Sequence, residues 1–95
     1  METRTSKFEL GEIVITPTAS AALQAGGQSV EDFLVRHQAG DWGKVSDQVR
    51  AVNERGLAEQ FNLQSVYATP TGARLVVITT GDRRLTMVHL GLPAD

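Results

Sequence analysis

The 95-residue chain carries 41% hydrophobic and 21% charged residues, a formal net charge of -2 and no cysteine. This is the composition of one globular domain: it argues against disorder, the lack of cysteine excludes disulfides and thiolate metal sites, and the length leaves no room for a second core or a deep interdomain cleft. An isoelectric point near 5.6 gives no global field for a polyphosphate, so nonspecific DNA binding is not expected.

The segment Met1-Glu2-Thr3-Arg4-Thr5-Ser6-Lys7 has no apolar run behind a basic start. Residues 1–7 are therefore expected to form a flexible arm and not a signal peptide, with a single domain over 8–95. No segment is long enough to cross a bilayer, and a cytoplasmic protein without membrane association is expected.

Residues 8–16 are rich in β-branched side chains and predict a first strand, in which Gly11 marks a bulge or a close backbone approach. Pro17 ends it. Thr16 or Thr18 caps a short helix to about Ala25, which Gly26-Gly27 terminates. Ser29 opens a second helix, with Asp32 in a shortened capping box, and places Val30, Phe33, Leu34 and His37 on one core-facing stripe. Gly40 supplies the left-handed residue that ends this helix, and Ser46-Asp47 caps a third that runs to about Gln60. That helix is expected to turn Val49, Val52, Gly56, Leu57 and Phe61 toward the core, with Asn53 on the same face.

From Leu63 the period changes from helical to alternating. Residues 63–69, 73–80 and 85–90 predict three strands joined by Pro70-Thr71-Gly72 and Gly81-Asp82-Arg83 turns, hence antiparallel. The run Leu75-Val76-Val77-Ile78 is apolar throughout and belongs inside the sheet. The predicted fold is α+β, in the order β-α-α-α-β-β-β: one layer of helices on a four-stranded, mainly antiparallel sheet with the N-terminal strand at an edge.

The segment Arg36-His37-Gln38-Ala39-Gly40-Asp41-Trp42-Gly43 concentrates the single Trp, one of the two His and two glycines at a helix end. Trp42 reads as a core anchor able to bury up to ~250 Å², with a stacking platform as its functional alternative. His37 reads as a structural histidine favoured by the negative end of its helix, with general acid–base catalysis as the alternative. Asp41 is expected to cap the following turn, and Asn53 to fix the same loop by hydrogen bonds. Asp82 and Arg83 lie in a hairpin, where Arg83 and Arg84 are either a solvated turn or an anion clamp. His89 has no assignable partner. No metal or cofactor is expected: the histidines lack ligand spacing, and no nucleophile turn, P-loop or dinucleotide fingerprint is present.

The ordered string Phe8-x-Leu10-Gly11-x-Ile13-Val14-x-Thr16-Pro17, then Arg36-His37-x-x-Gly40-Asp41-Trp42-Gly43, then Asn53-Glu54-x-x-Leu57 resembles a family of small bacterial plasmid-related proteins. The likeness continues through Ser65-x-Tyr67, Ile78-Thr79 and Asp82-Arg83 to Thr86. Its specific part is His37-x-x-Gly40-Asp41-Trp42-Gly43. The resemblance implies carriage by plasmids or other mobile elements. It departs at Thr80, where an acid is usual, at Val76, where an aromatic is usual, and in the tail Leu92-Pro93-Ala94-Asp95, which lacks an acid–aromatic pair.

Two functions fit these residues. The first is a non-enzymatic accessory protein of a mobile element, a regulatory or interaction module that binds a protein partner or self-associates. The second is a small metal-independent ribonuclease of toxin type, with His37 as general acid–base, Arg83 neutralising phosphate, and Ser65, Tyr67 or Thr86 orienting substrate. The acidic isoelectric point, the single candidate histidine and the lack of a basic stripe favour the first, and nucleic acid is not the favoured partner.

Overall fold

The computed structural model describes residues 6–91. Its elements are β1 (Glu12–Ile15), α1 (Pro17–Ala25), α2 (Val30–Gln38), α3 (Asp47–Glu59), β2 (Leu63–Ala68), β3 (Arg74–Thr79) and β4 (Leu85–Leu90). The sheet order is β1-β4-β3-β2. Both hairpins are antiparallel, and β1 joins parallel to β4 at one edge, so the sheet is mixed and β3 is central. Of the arm expected over residues 1–7, only Ser6 and Lys7 are described, and the Lys7 N–H donates to the Gln38 carbonyl at 2.8 Å.

Each helix starts on the hydroxyl that the sequence places there. Thr16 Oγ1 accepts from the Ala19 N–H, Ser29 Oγ from Glu31 and Ser46 Oγ from Val49, satisfying amides that have no partner inside the helix. Gly40, at φ +86°, follows the end of α2 as expected.

Strand alternation sends Leu63, Ser65 and Tyr67 of β2, Leu75, Val77 and Thr79 of β3, and Thr86 and Val88 of β4 to the helix side, where all are buried. Ala19, Leu23, Phe33 and Leu34 from α1 and α2 pack against this face. The opposite face carries Val14, Met87, Ile78, Val66 and Gln64 and has no helical layer over β1 and β4; Val14 and Met87 remain 39% and 38% exposed there.

Two expectations are corrected. The first strand is four residues and not residues 8–16. Gly11 adopts φ +68°, where a Cβ would land on the Arg84 carbonyl, and this breaks the extended run. The third helix buries Asn53 and Gly56, whereas Val52 and Phe61 stay 48% and 40% exposed and Val49 and Leu57 are half-buried. The reason is its position: α3 stands beside the outer edge of β2, where Asn53 bonds the Gln64 backbone, so its contact row is offset from the stripe that would face a sheet from above.

Candidate functional site

The distinctive segment following α2 builds two things, a buried polar ladder and a closed sheet edge. The ladder begins at His37, which is fully buried. Its Nδ1 lies 2.5 Å from Ser65 Oγ and its Nε2 lies 2.9 Å from Thr79 Oγ1. Thr79 Oγ1 in turn meets Thr86 Oγ1 at 2.7 Å, and Thr86 donates to the Leu10 carbonyl at 2.7 Å.

The terminal carbonyl can only accept, and that fixes every proton upstream. Thr86 gives its hydrogen to Leu10, so it must accept from Thr79. Thr79 has then used its own hydrogen and accepts from His37 Nε2–H. Nδ1 is left bare to accept from the Ser65 hydroxyl. One neutral tautomer thus ties α2 to β2, β3, β4 and the chain entering β1. Burial, with a smaller contribution from the Arg83 charge, lowers the His37 pKa to about 4. The imidazole is therefore neutral at pH 7, and its partners are hydroxyls on the sheet and not a group at the end of its own helix.

Aromatic rings seal the ladder. Phe8 meets His37 edge-on at 5.1 Å and stacks with Trp42 at 6.2 Å, while Trp42 meets His37 edge-on at 5.7 Å. Trp42 is buried, and its Nε1–H donates to Glu54 of α3 at 2.8 Å. Gln38 holds Phe8 in place through the Phe8 carbonyl at 3.0 Å. Tyr67 is buried beneath Phe33, its hydroxyl donating to the Asp41 carbonyl at 2.6 Å; burial pushes that hydroxyl up to about 12. Asp41 accepts from the Gly43 N–H and pairs with Arg36 at 2.8 Å, so the expected turn cap is present.

The second construction closes the outer edge of β2. Val66 donates to the Trp42 carbonyl at 3.0 Å and accepts from the Lys44 N–H at 2.6 Å, so residues 42–44 act as a short extra strand. Gly43 is required between them: at φ +73° a Cβ would fall on the Val66 carbonyl oxygen. Two residues along, the Asn53 amide does the same by side chain, donating to the Gln64 carbonyl at 2.7 Å and accepting from its N–H at 3.1 Å. Asn53 therefore caps β2, and the expectation that it fixes the Trp42 loop is corrected.

Arg83 sits at φ +60° in the β3–β4 turn and folds back onto α3, donating to the carbonyls of Gly56 at 2.8 Å, Phe61 at 2.8 Å and Thr80 at 3.0 Å. A guanidinium against helix-terminal carbonyls is favourable placement. It also covers the Phe8 ring, 5.6 Å from its centroid. Asp82 organises the same turn, accepting from Thr80 Oγ1 at 2.7 Å and from the Arg84 N–H at 3.1 Å. The Thr80 hydrogen bond, joined by that of Arg84, holds its carboxyl below the ordinary range.

Of the sequence candidates, His37, Trp42 and Asp41 gather at one junction, Arg83 reaches it through Phe8, and Asn53 acts at the β2 edge. Ser65 and Thr86 belong to the ladder, and Tyr67 packs beside it. Sequence reasoning missed Phe8, Thr79 and Glu54. Thr79 could have been found, because strand alternation puts it on the apolar face. Among the described residues no group of three or more acidic or histidine side chains gathers as a metal site needs, and no helix is long and apolar enough to cross a membrane.

Among the described residues, two surfaces are open to a partner. One is a concavity of about 450 Å³ where Val49 and Val52 of α3 meet Gln64 and Ile78 on the outer sheet face. The other is the free edge of β1. Because Glu12 N–H bonds Arg84 and Thr16 N–H bonds Val88, alternation points the N–H and C=O groups of Ile13 and Ile15 away from the sheet. No described residue bonds them, and Ile13 is 43% exposed. Comparison with protein-family models, with curated proteins and with solved structures gives no match.

Proposed function

We propose that the protein is a non-enzymatic interaction module, a cytoplasmic accessory protein of a mobile element, that binds a protein through the β1 edge and the adjoining outer sheet face. The observation that carries this reading is the contrast between the two edges of the sheet. The β2 edge is blocked by backbone and by the Asn53 amide, whereas β1 offers unpaired amides beside Ile13, Val14 and Met87. Unprotected edges are normally blunted by charge, proline or cover, and an apolar one is a template for strand addition. The mobile-element setting draws support from the likeness to small plasmid-related proteins in the His37-to-Gly43 segment.

The groups that a ribonuclease would need are committed elsewhere. His37 is sealed beneath Phe8 and Trp42 with both nitrogens bonded, and Arg83 directs its donors at three carbonyls. A general acid must reach the proton it transfers, and a phosphate clamp needs free donors.

The test places a photo-activatable residue at Met87 in the cells that carry the gene. Discrete protein adducts, lost when Ile13→Lys charges the edge, are expected. An absence of adducts, together with RNA cleavage by the purified protein that His37→Ala removes, would reverse the assignment.

A further inference from the structure

We infer that the occupant of the β1 edge is a second copy of this chain, paired antiparallel about a two-fold axis at Val14 so that two four-stranded sheets become one of eight. The inference rests on the interaction reading above and supplies its partner.

Register selects itself by the groups that need pairing. Only Ile13 and Ile15 of β1 direct backbone donors and acceptors outward. Centring the axis on Val14 sets Ile13 opposite Ile15 of the other copy, twice by symmetry, and satisfies all of these groups. Centring on Ile13 would call on Gly11, which lies outside the strand at φ +68°. Centring on Ile15 would call on Pro17, which has no N–H. The Val14 register alone uses the whole edge.

Side chains agree with that register. Glu12 falls opposite Thr16 and not opposite its own copy, and the two Glu12 carboxylates stand about 13 Å apart along the strands, beyond a Debye length of about 8 Å at physiological salt. On the outer face the two Val14 side chains meet, which joins Met87 and Ile78 of each copy into one apolar row across the seam. On the helix side, Ile13 of one copy lies beside Ile15 of the other. There a concavity of about 180 Å³, bounded by Ile15, Leu23 and Val30, adjoins it. The Gln28 amide oxygen in its wall is buried and has no hydrogen-bond partner among the described residues, so this corner of the fold is incomplete alone.

An interface of one short strand and a few apolar side chains falls in the small, transient class. Sedimentation velocity of the full chain should therefore show the mean mass rising toward twice the monomer between about 10 and 500 μM, the concentration range of such weak pairs. Ile13→Lys should hold it monomeric while leaving a cooperative melt. The chain has no cysteine of its own, which makes Val14→Cys a clean reporter. A non-hydrogen-bonded antiparallel pair brings Cα atoms to about 4.5 Å, within disulfide reach, so mild oxidation should give a covalent dimer. Gln64→Cys, exposed on the same face near the capped edge, should not.

A wild type that stays monomeric throughout, or a dimer indifferent to Ile13→Lys whose Val14→Cys form cross-links no faster than Gln64→Cys, would overturn the inference. Adducts at Met87 of another mass would then keep the interaction reading with a different partner. No adducts at all would remove both.

Discussion

Acidification should destabilise this domain through one residue. In the unfolded chain His37 titrates near 6.5, and in the folded chain burial lowers it to about 4. Between those values the unfolded state binds more protons, so stability rises with pH across the window. The contribution is fully present above about pH 6.5 and is lost as pH falls toward 4. At 1.36 kcal/mol per pH unit the full loss is about 3 kcal/mol, a large part of the 5–15 kcal/mol typical of a domain. At about 4–8 °C per kcal/mol the melting temperature should fall by roughly 12–24 °C. Asp82, held below its ordinary value by Thr80, titrates beneath this window and does not imitate the effect.

Urea unfolding at a series of pH values from 7.5 to 4.5 measures the slope. Trp42 emission can follow it, with circular dichroism in parallel because a protonated imidazole next to an indole quenches it. His37→Gln should be less stable at pH 7 and should flatten the profile. A wild-type stability that does not change from pH 7 to 4.5, or that increases on acidification, would refute the neutral, buried imidazole.

Other perturbations separate the two constructions. Asn53→Leu keeps the branched side-chain skeleton but strips the partners of both Gln64 backbone groups, which should cost about 2 kcal/mol in the urea midpoint and accelerate exchange at the Gln64 amide. Gly43→Ala puts a Cβ against the Val66 carbonyl at φ +73° and should cost about 3 kcal/mol, read by thermal melting. Arg83→Ala should lower stability by about 1–2 kcal/mol, because the carbonyls of Gly56 in α3, of Phe61 just beyond it and of Thr80 in the turn lose a cationic donor that is partly solvated. Arg83→Lys should restore little of it for want of the fork, and neither variant should alter an RNA substrate that the wild type also leaves intact.

Local physics was legible in the chain. The caps at Thr16, Ser29 and Ser46, the stripe Phe33, Leu34 and His37, and the two hairpins follow from patterns within a few residues. Burial of Trp42 followed from its size. What could not be read depends on partners distant in sequence. Asn53 looks like a polar intruder on an apolar helix face until β2 is known to end beside it, eleven residues on. Arg83 resembles a solvated turn residue until α3 presents its last carbonyls, 27 residues earlier. The parallel join of β1 to β4 spans nearly the whole domain and carries no local signal. The ladder lay between these cases: alternation exposes Ser65, Thr79 and Thr86 as polar residues on an apolar face, but the imidazole that links Ser65 to Thr79 comes from a helix.

The most direct test of an open docking edge is residue-resolved amide exchange at Ile13, Val14 and Ile15 as protein concentration is raised. Val14 faces β4 and should be protected at every concentration, whereas Ile13 and Ile15 should exchange quickly in dilute solution and slow together as a partner strand covers them. Ile13 and Ile15 protected even at the lowest concentration would mean that the edge is already covered within the monomer, which would contradict the account.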